Sequence, residues 1–210
     1  LGESHDNLDH HRFQARLVEA LAARRGPLVV AMEFFRPEHD PVLAEYTAGK
    51  IGLEEMLVRA GWRGFNYRLY APVLEAARRA GAQVVGVNLP RRVVRQVSRH
   101  GLEALGAEDR ALFPELDLSI AEHRFLIRSI FGRSAVAGPE RFERFYAAQS
   151  IWDTAMAANT LKALDEAGAG ALAVVIVGGG HVYYHPGDPR RLRQLRPGIE
   201  VASLVQLAVA

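Results

Sequence analysis

Cysteine is absent from all 210 residues, which excludes disulfides, cysteine nucleophiles and thiolate metal sites within this segment. Lysine is nearly absent too. Lys50 and Lys162 are the only two, so arginine supplies almost all the positive charge. The 26 basic and 24 acidic residues leave a formal charge of +2, close to neutral. Arg91, Arg92, Arg95 and Arg99 lie close together, as do Arg190, Arg191, Arg193 and Arg196. No aromatic residues interleave these runs and no nucleic-acid motif accompanies them, so no nucleic-acid partner is expected. Such runs form solvated faces or touch an anionic group. No apolar run approaches the roughly 20 residues of a membrane span. Neither Gly-x-Gly-x-x-Gly nor Gly-Lys-Ser/Thr occurs, which removes both common nucleotide cradles. Ser4 lacks the Gly-x-Ser-x-Gly elbow, which argues against a serine hydrolase. What remains is 49% hydrophobic and 24% charged, suited to one domain over residues 1–210 with a sizeable core.

The apolar runs set the fold class. Leu172–Val177 (LAVVIV), Leu28–Phe34 (LVVAMEF) and Ala82–Val87 (AQVVGV) read as buried strands of a parallel sheet. Leu1 reads as the end of another such strand, whose start would precede this segment. Between them, Asp6–Arg25 has close to helical spacing through Leu8, Phe13, Leu17, Val18 and Leu21, with Asp6 or Asn7 as N-cap. Trp62–Tyr70 reads as an aromatic loop, Ala71–Ala80 as a helix, and Arg91–Leu118 as short helices. Ser119–Phe131 is expected to be helical and to carry His123. A long helix is expected from Gly138-Pro139 to about Ala167. Val201–Leu207 reads as a last strand. The expectation is therefore an α/β fold. Its largely parallel sheet is flanked by helices, with a helical insertion between the third and fourth strands.

Buried parallel strands should be apolar, so the polar residues at their ends carry the information. Gly2-Glu3-Ser4-His5 and Gly178-Gly179-Gly180-His181 both fit Gly-x-x-His and both follow a strand. Glu33 and Asn88 end two others. In open α/β sheets ligands sit beyond the carboxyl ends of the strands. Glu3, His5, Glu33, Asn88 and His181 are therefore read as facing one site, although each alone would serve as a loop or cap residue. Imidazole with carboxylate can bind zinc, iron or manganese, or a carboxylate can act as general base on water. His10 and His11 point about 100° apart on a helix, so only one can face that site. His11 is the inward one if Leu8 marks the buried face, and a surface residue otherwise. His39, His100 and His185 read as loop or surface residues. Gln149 and Asp153 are four residues apart on the long helix and so share a face. The apolar surroundings of Asp153 demand a partner, with a strand-end histidine or Arg68 the nearest choices. Orienting such a histidine is the role expected of it.

These motifs are specific enough to carry a resemblance. LGESHDNLDHHRFQ, AMEFF, VGVNLPR, AAQSIWDTAMA and VGGGHVYYHPGDP, in that order, resemble the ChaN-like haem-binding proteins of the Tiki/TraB superfamily. The resemblance covers essentially the whole chain. Members of that family are often iron-regulated bacterial lipoproteins that bind haem between two subunits. The resemblance therefore implies non-covalent haem, a homodimer, a bacterial envelope location and a lipid anchor upstream of this segment. It carries over Glu3, His5, His11, Glu33, Asn88, Gln149, Asp153 and His181 as motif positions. A tyrosine can hold haem iron, and Tyr67, Tyr70, Tyr146, Tyr183 and Tyr184 all lie near motif segments. With lysine so scarce, arginine would have to meet the propionates. Superfamily relatives include metal-dependent proteases with two Gly-x-x-His motifs, and hydrolases. The alternative is thus a metal-dependent hydrolase with His5, Glu33 and His181 around a divalent ion, in which Glu3 or Glu33 activates water.

Overall fold

The computed structural model describes residues 1–24, 26–62, 66–135 and 138–207. Where length and composition suggest one domain, backbone contacts group the chain into two compact units. The first comprises Leu1–Asn88, Asn159–Gly179 and Leu204–Ala210, and the second Leu89–Ala158 and Gly180–Ser203.

The first unit holds the sheet. Its strands β1 (Gly2–Glu3), β2 (Leu28–Met32), β3 (Gln83–Gly86) and β4 (Leu172–Gly178) run parallel in the order β1-β4-β2-β3. All five residues of β2 are buried, as an apolar β-branched run between two neighbours requires. Helices α1 (Leu8–Ala22), α2 (Asp40–Thr47), α3 (Leu53–Arg59) and α4 (Tyr67–Arg79) complete this unit, with the end of α8. Val30, Met32, Val84, Val174 and Ile176 join Val18, Tyr70, Val73 and Leu74 in one core. Each such side chain contributes roughly 1.5–3 kcal/mol on burial. Because all four strands are parallel, Glu3, Glu33, Asn88 and Gly178 fall at the carboxyl ends of the strands, on one side of the sheet.

Asn7 is the N-cap of α1, its side chain accepting from the backbone N–H of Asp9 and His10. The helix buries His10, His11, Gln14, Ala15 and Val18, whereas Phe13 is 41% exposed. The inward face is thus turned toward the polar residues rather than centred on Leu8 and Phe13. Residues 63–65 of the expected aromatic loop lie outside the described residues; Tyr67–Tyr70 form the first turn of α4. Val201–Leu207 is not a strand. A single bridge pairs Val205 with Gly2, through Gly2 N–H to Leu204 O at 2.8 Å and Gln206 N–H to Gly2 O at 3.0 Å. β1 has only two residues, too short to carry a longer ladder.

The second unit is the helical insertion with the segment that follows β4. It contains α5 (Arg91–His100), α6 (Ala107–Arg110), α7 (Ala121–Ala135), α8 (Pro139–Ala167) as far as Ala158, and α9 (Asp188–Leu195). In α5 the valines at 93, 94 and 97 are buried and the arginines at 91, 92, 95 and 99 exposed. The valines pack with Leu89, Phe113, Ala148 and Ile151.

Candidate functional site

In the first unit the chain turns out of β1 at Glu3, and His5, two residues on, folds its imidazole back over it. His5 Nδ1 lies 2.6 Å from Glu3 Oε1. The Tyr70 hydroxyl, from α4, donates to the same oxygen at 2.9 Å. Burial, and then the Glu3 carboxylate, push the Tyr70 phenol well above its ordinary value, so it remains a neutral donor. His11 Nε2 stands 3.6 Å from Glu3 Oε2 and 3.3 Å from the His5 carbonyl oxygen. A carbonyl only accepts, so Nε2 carries the proton in that contact. His11 Nδ1 lies 3.0 Å from the side-chain amide of Gln14, one turn on.

Glu33 follows β2 and accepts the Gly178 N–H at 3.0 Å, across to the end of β4. Its Oε1 is 3.5 Å from His5 Nε2. Asn88, after β3, donates to the Glu33 carbonyl at 2.7 Å and holds that strand end in place. Glu3, His5 and Glu33 thus present three ligand atoms within 4.8 Å of one another. Two buried carboxylates so close repel unless a cation stands between them, and either a protonated His5 or a metal ion meets that need. Phe34, Trp62 and Tyr70 ring this cluster, with Phe34 5.4 Å from the His5 ring and 4.3 Å from that of Tyr70.

The second unit holds a group of its own. Asp153, on α8, is 1% exposed and lies against two imidazoles. His181 Nδ1 is 2.6 Å from Oδ1, and His123 Nε2, from α7, is 3.1 Å from Oδ2. The latter contact is close but not aligned as a hydrogen bond. Burial pushes the Asp153 carboxyl up, but the charge of His181 and then the contacts with His123 outweigh it, holding the group below its ordinary value. Trp152 stands edge-on to the His181 ring at 6.0 Å. Nearby, buried Arg191 donates to the Asp117 carbonyl at 2.8 Å and to the Gln194 side-chain oxygen at 3.2 Å.

The structure therefore brings Glu3, His5, His11, Glu33, Asn88 and Tyr70 together in the first unit, and Asp153 with His181 in the second. Gln149 is buried on α8, one turn before Asp153. Arg68 is exposed and belongs to the first unit; the partners of Asp153 are histidines. His10 is buried as well as His11, but it accepts the Ser4 N–H at 3.0 Å instead of meeting Glu3. Among the tyrosines, Tyr70 and Tyr146 are wholly buried, with their hydroxyls given to Glu3 and to the Ile120 carbonyl. Tyr183 is half-buried, and Tyr184 is 87% exposed with a left-handed φ of 56°. Sequence reasoning gave His123 no particular role, yet Ile120, His123 and Ile127 repeat at i, i+3, i+7 and mark an inward stripe. That spacing was the available signal.

Residues 1–192 match the family model described as haem-binding uptake, Tiki superfamily, ChaN. Among solved structures, ChaN of Campylobacter jejuni superposes with a TM-score of 0.71 at 17% identity, covering 94% of this chain and 76% of that one. At that identity the likeness speaks for the fold. No curated protein matches the chain. With the family model spanning nearly all of it, the chain belongs to the ChaN family of haem-binding uptake proteins in the Tiki superfamily.

Proposed function

We propose that this protein binds haem non-covalently for iron uptake or handling, with the haem at an interface between two copies of the chain. The observation that carries this reading is the family match over residues 1–192. ChaN of Campylobacter jejuni is described as binding haem cofacially, and haems face to face suit two copies that each contribute one ligand. An iron ligand must reach a flat macrocycle docking from outside. Tyr184 meets that requirement, being 87% exposed, whereas the Tyr70 and Tyr146 hydroxyls are buried and engaged. Two successive residues, Tyr184 and His185, hold left-handed φ angles of 56° and 68°. Strain of this kind costs about 1–3 kcal/mol per residue and collects at ligand sites. Arginine would meet the propionates. An envelope lipoprotein is the setting in which such a protein would work.

A specific observation also favours a second reading, a divalent-metal site for hydrolysis: the grouping of Glu3, His5 and Glu33. There a carboxylate would act as base toward water. One preparation separates the two. Titration with ferric haem should produce the Soret band and high-spin spectrum of a tyrosine ligand, and Tyr184→Phe should lose it while Tyr70→Phe keeps it. A titration curve no different from free haem, together with stoichiometric zinc or manganese that Glu33→Gln removes, would leave the hydrolase reading standing instead.

A further inference from the structure

We propose that His123 is a positioning residue, which acts on His181 through the Asp153 carboxylate. The inference rests on the haem reading above, with His181, three residues before Tyr184, taken as part of that ligand site.

Asp153 is the pivot. Its two oxygens face different rings, Oδ1 toward His181 Nδ1 at 2.6 Å and Oδ2 toward His123 Nε2 at 3.1 Å. An ionised carboxylate only accepts, so His181 Nδ1 must carry a proton in this contact, and the tautomer is set. With its second oxygen unopposed, the carboxylate could turn about its terminal torsion, which is broad and roughly two-fold. His123 at Oδ2 removes that freedom.

His123 itself is built in. Its ring is 0% exposed, and it stands edge-on to Tyr146 at 5.3 Å. The Tyr146 hydroxyl is engaged with the Ile120 carbonyl, so Tyr146 confines the ring without competing for Asp153. The loop after His181 then closes over the pair. A Cβ at Gly187 would come within 2.5 Å of the His181 carbonyl oxygen and 3.1 Å of Asp153 Oδ2. That approach leaves no room for a side chain at this position. Two elements, α7 and the loop at 187, thus converge on one carboxylate oxygen. Groups that orient a ligand histidine through a carboxylate typically change affinity 10–100-fold when removed.

The test uses the intact chain with His123→Phe, which keeps the ring volume, and His123→Gln, which restores a nitrogen near the Nε2 position. Ferric-haem affinity is measured beside the ring-nitrogen NMR signals of His181 in ligand-free protein. His123→Phe should weaken haem binding about tenfold and shift the His181 nitrogens away from a fixed Nδ1–H tautomer. His123→Gln should recover most of both. His181→Ala combined with His123→Phe should be no weaker than His181→Ala alone. If His181→Ala leaves haem affinity intact, His181 is not part of the haem site, and the nitrogen signals alone still decide the role of His123. Unchanged His181 signals in a folded His123→Phe protein would overturn the inference.

Discussion

Asp40 illustrates how much one side chain depends on neighbours distant in sequence. It opens α2, and its Oδ1 accepts the N–H of Gly86, 46 residues on, at 2.7 Å. Burial pushes its carboxyl up to about 6, with Glu166 adding to the rise and the Gly86 hydrogen bond and Lys162 opposing it. A folded value above the unfolded one means that the contribution is fully present below about pH 4. It falls as pH climbs toward about 6, and levels off above. Asp40→Asn retains the acceptor and removes the charge. Urea midpoints should therefore show the variant more stable at pH 8 by about 1 kcal/mol, allowing for solvent screening of a half-exposed group, with little difference at pH 4. A variant less stable at pH 8 yet equal at pH 4 would show that the charge is useful. The same scale governs the tyrosines. All five near the motifs are equivalent on paper, and burial alone separates Tyr70, which holds Glu3, from Tyr184, which faces water.

Among the elements, the strands were the most legible and the edges the least. LVVAM and LAVVIV read as buried strands because only a sheet covered on both faces tolerates such runs. The long helix from Pro139 to Ala167 was legible from its glycine and proline punctuation. The inward face of α1 was not, because its buried residues include His10, His11 and Gln14, and polarity hid the stripe. β3 shows what glycine does in a strand. A Cβ at Gly86 would overlap the backbone N, C and O of Arg36, which cannot move aside as a side chain could. Gly86→Ala should cost about 1–3 kcal/mol in chemical denaturation, as overpacking does. Gly106→Ala is the comparison, since nothing lies within 4 Å of its added Cβ. Equal stability of the two variants would refute the close approach.

For the whole molecule, the proposed cofacial pairing predicts an oligomeric response. Sedimentation of the 23.1 kDa chain should shift toward twice that mass when haem is added, and Tyr184→Phe should abolish the shift. A dimer that forms equally without haem would detach assembly from ligand binding. The amino-acid order by itself determined the α/β class, the parallel strands and the polar residues at their ends. Those depend on local apolar runs and on the rule that ligand groups gather at carboxyl ends. Family membership too was written in motif order along the chain, and the match over residues 1–192 agrees with it. Tertiary structure decided which groups meet. Tyr70 reaches Glu3 across 67 residues, Gly178 reaches Glu33 across 145, and His181 reaches Asp153 across 28. No local pattern encodes such pairings, because they follow from strand order and helix packing. Short-range spacing can place a polar residue at a strand end or on a helix face. Only the folded chain selects its partner, since a buried charge must be matched by whatever the packing brings within reach.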